Sequence, residues 1–134
     1  MRVANAARAL LMVSGCVLME HPALAQSRVP LDGPSVYKAY CATCHGTDAK
    51  GDGPAAAALK RKPIDLTTIA KNNHGKFPRL TIEDVIVRGN KWKAHGSKEM
   101  PTWGPVFIAV DGDDQLAYGP IQSLLTYLES IQVK

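Results

Sequence analysis

Apolar residues fall at helical spacing most clearly near the C-terminus, where Ile121, Leu124, Leu125, Leu128 and Ile131 share one face. A stripe of that period predicts an amphipathic helix over residues 121–132, opened by Gly119-Pro120. A shorter helix is expected over residues 35–42: Pro34 suits the first helical position, and Val36, Ala39 and Tyr40 form a face with Tyr37 beside them. Residues 81–88 read as a third, begun at Leu80 or Thr81, with Glu83 and Asp84 in the first turn, Arg88 in the last and Gly89 as the stop. From Gly46 to Arg79 the period is lost among glycines and prolines, and only residues 55–60 suggest a turn or two of helix. Residues 91–105 are irregular again, and residues 106–110 are the one strand candidate. The pattern is that of an all-α chain with no internal repeat.

An irregular stretch as long as 46–79 is unusual in a compact domain unless it wraps something that supplies the missing core. The chain, 134 residues long, has room for a single domain. Its first 25 residues stand apart: Arg2 and Arg8 with no acid near the start, an apolar run over 9–19, then Ala23-Leu24-Ala25 before Gln26-Ser27. This is the pattern of a secretory signal cut after Ala25, which leaves residues 26–134 as the exported, periplasmic domain. The run is well short of the roughly 20 apolar residues that span a bilayer as a helix. The alternative is a lipobox at Val13-Ser14-Gly15-Cys16, with membrane attachment through an acylated Cys16; the continuing apolar run Val17-Leu18-Met19 argues against it.

Cleavage changes the inventory. Of three Cys only Cys41 and Cys44 stay, of four Met only Met100, and of four His only His45, His74 and His95. Lys plus Arg falls from 16 to 14 and Asp plus Glu from 12 to 11, a net charge of +3, which is not the strong excess of a nucleic-acid binder.

The chemistry centres on Cys41-Ala42-Thr43-Cys44-His45. A structural zinc site would need a second ligand pair, and His74 and His95, 21 residues apart, do not make one. A redox dithiol would open a helix after a strand, whereas here a helix precedes the motif and Gly46 follows it. A disulfide across so small a loop is strained and an improbable staple. Covalent haem attachment uses all three side chains: two thiols add to the two vinyl groups, and the next residue places an imidazole beneath the iron. For the opposite axial position Met100 is the candidate, in the stiff loop Glu99-Met100-Pro101-Thr102-Trp103-Gly104, with His95 and then His74 as rivals in Lys-rich, polar surroundings.

With these residues in view the chain resembles the class I, single-haem c-type cytochromes over nearly all of residues 31–134. "CATCHG" and "EMPTWG" match the attachment motif and the Met-Pro loop of that family. Gly33 and Tyr37, eight and four residues before Cys41, match the N-terminal half of its helix crossing, and Leu124 with Tyr127 the C-terminal half. The resemblance implies a cytochrome c fold, short helices and irregular loops wrapped around one covalently attached haem c with its iron. It also implies that a backbone carbonyl in "GDGPAAAALKRKPIDLT" receives the Nδ1 proton of His45; Pro63 and Ile64 are both candidates, because the Pro stands one place earlier than is usual. Trp103 is either a donor to a haem propionate or a core aromatic beside the Met loop.

Outside this constellation, Gly51-Asp52-Gly53 lacks the context of a phosphate loop and reads as a turn, and Asp111-Gly112-Asp113-Asp114 lacks calcium-ligand spacing. Residues 50–100 carry 11 Lys/Arg against 5 acids, and residues 101–134 carry 1 against 4. A basic rim of this kind suits redox partners with acidic docking surfaces, although a solvated Lys-rich surface has the same composition. The expected function is therefore single-electron transfer by a monomeric carrier, between a respiratory reductase or dehydrogenase and an acceptor enzyme, not catalysis. The rivals are a cytochrome subunit of a larger dehydrogenase or oxidase complex, and a haem protein whose open sixth site binds a small ligand.

Overall fold

The computed structural model describes residues 28–89 and 100–133. The leader with Cys16, and Trp92, His95 and Glu99 of the loop before Met100, lie outside the described residues. Among the described residues five α-helices carry the fold: α1 (Gly33–Tyr40), α2 (Ala42–His45), α3 (Arg79–Arg88), α4 (Trp103–Asp111) and α5 (Asp114–Ser130). Three single 3-10 turns, Ala56–Ala58, Leu66–Thr68 and Lys71–Asn73, are the only regular structure in the long stretch between α2 and α3, and no strand occurs among the described residues.

Helix α1 starts two residues earlier than the sequence pattern suggests, because Asp32 caps it: the carboxylate accepts from the Ser35 N–H at 2.9 Å, and Pro34 fits the first turn. Val36 and Tyr37 are buried as expected, whereas Ala39 is exposed. The axis of the fold is the crossing of α1 over α5. Gly33 lies so close to α5 that an added Cβ would sit 2.2 Å from the Ser123 carbonyl oxygen and 2.6 Å from Tyr127 Cβ. Tyr37 and Tyr127 meet beside it with ring centroids 5.4 Å apart, and Leu124 is fully buried below. These are the four residues that the sequence resemblance assigned to a helix crossing.

The expected stripe of α5 is buried at Ile121, Leu124, Leu125 and Leu128, and Ile131 is half-buried. The helix itself begins earlier than expected, at Asp114, with Gly119-Pro120 inside it. Pro120 removes one main-chain donor, but it is fully buried next to Ala117 and Ile121, so packing holds the extra turns together. The strand expected over 106–110 is instead the second half of α4. Its β-branched residues favour a strand only in isolation; Phe107 and Gly104, three apart, bury one helical face against α5 and α3. Helix α3 begins at Arg79, after Pro78, so Glu83 and Asp84 fall beyond its first turn, and Gly89 at φ +73° ends it as anticipated.

Two long-range ties were invisible in the pattern of residues. Arg79 reaches from α3 to α5, donating to the Gln122 carbonyl, Gln122 Oε1 and Thr126 Oγ1, each at 3.1 Å, and pairing with Glu129 at 3.3 Å. Val29, ahead of α1, is buried and donates its N–H to Asp111 Oδ1 at 3.1 Å, fastening the segment before α1 to the end of α4. No described helix is long and apolar enough to cross a membrane.

Candidate functional site

The Cys41-x-x-Cys44-His45 motif forms a single tight helical turn hung from the end of α1. The chain breaks its helical path at Cys41 and restarts, with the Cys44 and His45 N–H groups both donating to the Cys41 carbonyl, at 3.1 and 2.9 Å. Residues three apart share a face of such a turn, so both thiols are offered to the same neighbour. They are not joined to each other. Burial, helped by the adjacent Cys44, pushes the Cys41 thiol up to about 12. That is opposite to the depressed thiol of a redox dithiol, whose chemistry needs the thiolate.

The segment after the motif folds back and caps the turn. Gly51 N–H donates to the His45 carbonyl at 2.8 Å, Gly53 N–H to Cys44 at 3.1 Å, and Ala55 N–H to Thr43 at 2.9 Å. Those are the carbonyls that a helix end leaves without partners. Only glycine fits at 53, where a Cβ would stand 2.5 and 2.6 Å from the Thr43 and Ala42 oxygens. Gly51-Asp52-Gly53, expected as a turn, is a bend at Gly51 followed by irregular chain, and its work is to hold the Cys-His motif. The spacing of two glycines just after the motif was the available signal.

His45 Nδ1 lies 3.3 Å from the carbonyl oxygen of Ile64. A carbonyl can only accept, so this contact keeps the proton on Nδ1 and leaves Nε2 with a free lone pair. Burial lowers the pKa of the imidazole, and the Ile64 carbonyl partly offsets the shift, so the ring stays in its neutral, ligating form. Pro63, the other candidate, points its carbonyl at Gly51, which tolerates it only for want of a Cβ. Tyr37 braces the turn from below, its hydroxyl donating to the Gly46 carbonyl at 2.6 Å.

Beside His45, Ile64 is 42 % exposed, and elsewhere on the surface Leu80 is 81 % and Met100 37 % exposed. A cleft of about 560 Å³ opens at Ile64, lined also by Ile69 and Pro78 and by the polar Asp65, Thr68, Asn72, Asn73 and Thr81. Two unjoined thiols on one turn, a neutral imidazole with one free nitrogen, and the exposed Ile64 beside it fit covalent attachment of a haem c. Among the described residues, no three His, Cys, Asp or Glu side chains converge as a metal cage. Met100 stands just ahead of α4, its thioether committed to no core. Trp103 is half-buried in an aromatic cluster, 5.2 Å from Tyr40 and 6.1 Å from Phe107 between ring centroids.

The family model for cytochrome c oxidase, cbb3-type, subunit III matches residues 29–118, a span that includes the whole Cys-His turn and the Met100 loop. The chain belongs to this family of c-type cytochromes. Neither the curated proteins nor the solved structures yielded a match. A cytochrome c domain carries covalent haem and works by electron transfer, and the unjoined, half-buried cysteines and neutral His45 of this cytochrome are consistent with that chemistry. The all-α fold is the one expected for such a domain.

Proposed function

We propose that residues 26–134 form an exported, periplasmic, monomeric electron carrier. In this reading Cys41 and Cys44 would hold one haem c through two thioether bonds, and His45 and Met100 would be the side chains that bind its iron. Bound there, the haem iron supplies a one-electron couple, and Met/His ligation with burial favours its reduced state. His45 presents Nε2 because the Ile64 carbonyl holds its Nδ1 proton, which also raises the basicity of the ring. Met100 supplies the second ligand from a side chain left uncovered ahead of α4. Trp103, fixed by Tyr40 and Phe107, stiffens that end of the loop and is the candidate donor to a propionate. The single observation that carries the reading is the contact between His45 Nδ1 and Ile64, on the same turn as two unjoined thiols.

With both axial positions filled by protein, no site is left for a substrate, and the protein passes electrons between larger enzymes, a respiratory reductase or dehydrogenase and a terminal acceptor. Lys50, Lys60, Arg61, Lys62, Lys71, Lys76 and Arg88 are all exposed, which supports docking to acidic surfaces on such partners. Carbon monoxide tests the closed site. The reduced wild-type spectrum should not change under the gas, whereas Met100→Ala should bind it; a response in the wild type means that Met100 does not ligate and favours the open-site rival.

A second reading, a fixed cytochrome subunit of an oxidase complex, is favoured by the name of the matched family. Gel filtration of native extract separates the two. A shuttle elutes alone, while a subunit comigrates with a large complex at low and high salt alike.

A further inference from the structure

The end of α5 grips the loop that orients His45. Gln132, just past the helix, accepts from the Ala70 N–H through Oε1 at 2.8 Å and donates through Nε2 to the Leu66 and Leu128 carbonyls, both at 2.7 Å. One N–H and two carbonyls leave no choice of amide orientation: the reverse would set an oxygen against two oxygens. The next residue adds a main-chain bond, Val133 N–H to the Thr67 carbonyl at 2.9 Å. On its other side the same loop is tied to the turn that follows His45, with the Leu66 N–H donating to the Ala49 carbonyl at 2.8 Å. Leu66 is thus a strut, with Ala49 at one end and Gln132 at the other. Two residues before it stands Ile64, whose carbonyl meets His45. Asp65 stiffens the link, accepting from the Thr67 N–H at 2.8 Å and the Thr67 hydroxyl at 2.6 Å.

We infer that Gln132 is a positioning residue: through Leu66 it sets how firmly the Ile64 carbonyl holds the Nδ1 proton of His45, and so tunes the basicity of the haem ligand. The inference rests on His45 being that ligand. Gln132 touches neither His45 nor the haem-binding thiols. Without its amide, the Leu66 carbonyl and the Ala70 N–H lose their partner, and among the described residues the hydrogen bond left from the end of α5 to the loop is that of Val133 to Thr67, beside the apolar core that Leu128 and Ile69 share. The loop can then move away from His45. A weaker Nδ1–H···O contact leaves the imidazole less electron-rich, which disfavours oxidised iron and raises the midpoint potential.

The test uses the full chain, matured with haem, as wild type, Gln132→Met, Gln132→Glu and Arg79→Met. Two properties of each are read: the exchange rate of the His45 Nδ1 proton by NMR, and the midpoint potential. Gln132→Met should exchange this proton about tenfold faster and shift the potential upward. Gln132→Glu keeps the acceptor for Ala70 but sets a carboxylate oxygen against the Leu66 and Leu128 carbonyls, and should speed the exchange at least as much as Gln132→Met. Arg79→Met removes ties between α3 and α5 away from this loop, and should lower thermal stability while leaving both unmoved. Gln132 variants that lose stability with the proton and the potential unchanged, or an Arg79 variant that moves them equally, would overturn the inference. If the wild type carries no covalent haem, the proposed function fails first, and this inference with it.

Discussion

Replacing Gly33 with alanine adds one methyl group where α1 crosses α5, and the surroundings give it nowhere to go. The new Cβ would lie 2.2 Å from the Ser123 carbonyl oxygen, 2.9 Å from its carbon and 2.6 Å from Tyr127 Cβ. A carbon and a carbonyl oxygen rest at about 3.3 Å or more, so the helices must part by about 1 Å. The obstructing atoms are helix backbone and a Cβ, which no rotamer change can clear. Overpacking of this kind costs about 1–3 kcal/mol. Loosening the Tyr37–Tyr127 pair adds about 0.5–1.5 kcal/mol, while the helix-forming advantage of Ala over Gly returns about 0.5–1 kcal/mol. The net loss is about 0.5–4 kcal/mol, and each kcal/mol lowers the melting temperature of a domain this size by roughly 4–8 °C. Thermal and denaturant unfolding of the haem-loaded protein, followed by far-ultraviolet circular dichroism, measure it. Gly119→Ala is the control: it is also helical, nothing lies within 4 Å of its added Cβ, and stability should hold or rise slightly. Equal stability of wild type and Gly33→Ala would refute the view that close approach at this glycine sets the crossing.

Further outcomes follow from the same geometry. Tyr37→Phe leaves the buried Gly46 carbonyl without its 2.6 Å donor and should cost about 1–2 kcal/mol in denaturant unfolding. The same variant should change the alkaline limb. Burial, helped by neighbouring Cys41, raises the ionisation of the folded-state Tyr37 well above its usual value near 10, so its contribution to stability is complete below pH 10 and is lost as the unfolded chain ionises above it. Wild-type stability should therefore fall more steeply than that of Tyr37→Phe above pH 10; parallel curves would contradict this. Arg79→Met removes three hydrogen bonds and an ion pair that join α3 to α5, and should cost about 1–2 kcal/mol in thermal unfolding. Gly53→Ala drives a Cβ into the Thr43 and Ala42 carbonyl oxygens and should lower the yield of haem-loaded protein on expression, measured against total polypeptide; an unchanged yield would mean that the cap does not support the Cys-His turn.

Residues whose signal is local were legible in the sequence. The Cys-His turn, the α5 stripe and the stop at Gly89 depend on neighbours within a few positions, and the structure holds them where the pattern put them. The crossing of Gly33 and Tyr37 with Leu124 and Tyr127 was legible only through resemblance, since no periodicity relates residues so far apart. Where local propensity and tertiary packing disagree, packing prevailed. Val106 to Val110 are good strand formers yet lie in α4, because Phe107 and Gly104 bury a helical face, and Pro120 sits inside α5 instead of opening it. Arg79, Gln132 and Val29 were missed for a simpler reason: a lone polar or apolar side chain carries no sign of a partner 43 to 82 positions away. The ambiguity between Pro63 and Ile64 was of the same sort, because the choice lies in which carbonyl the backbone turns toward His45.

The central claim is that Cys41 and Cys44 bind haem covalently, and denaturing electrophoresis with haem-peroxidase staining tests it most directly. The protein, produced by an exporting host with its own haem-attachment machinery and reduced and boiled before loading, should stain at the mass of the polypeptide. The Cys41→Ser/Cys44→Ser double variant should show the same polypeptide without the stain. A wild-type band that carries no haem, or a double variant that keeps it, would contradict the account.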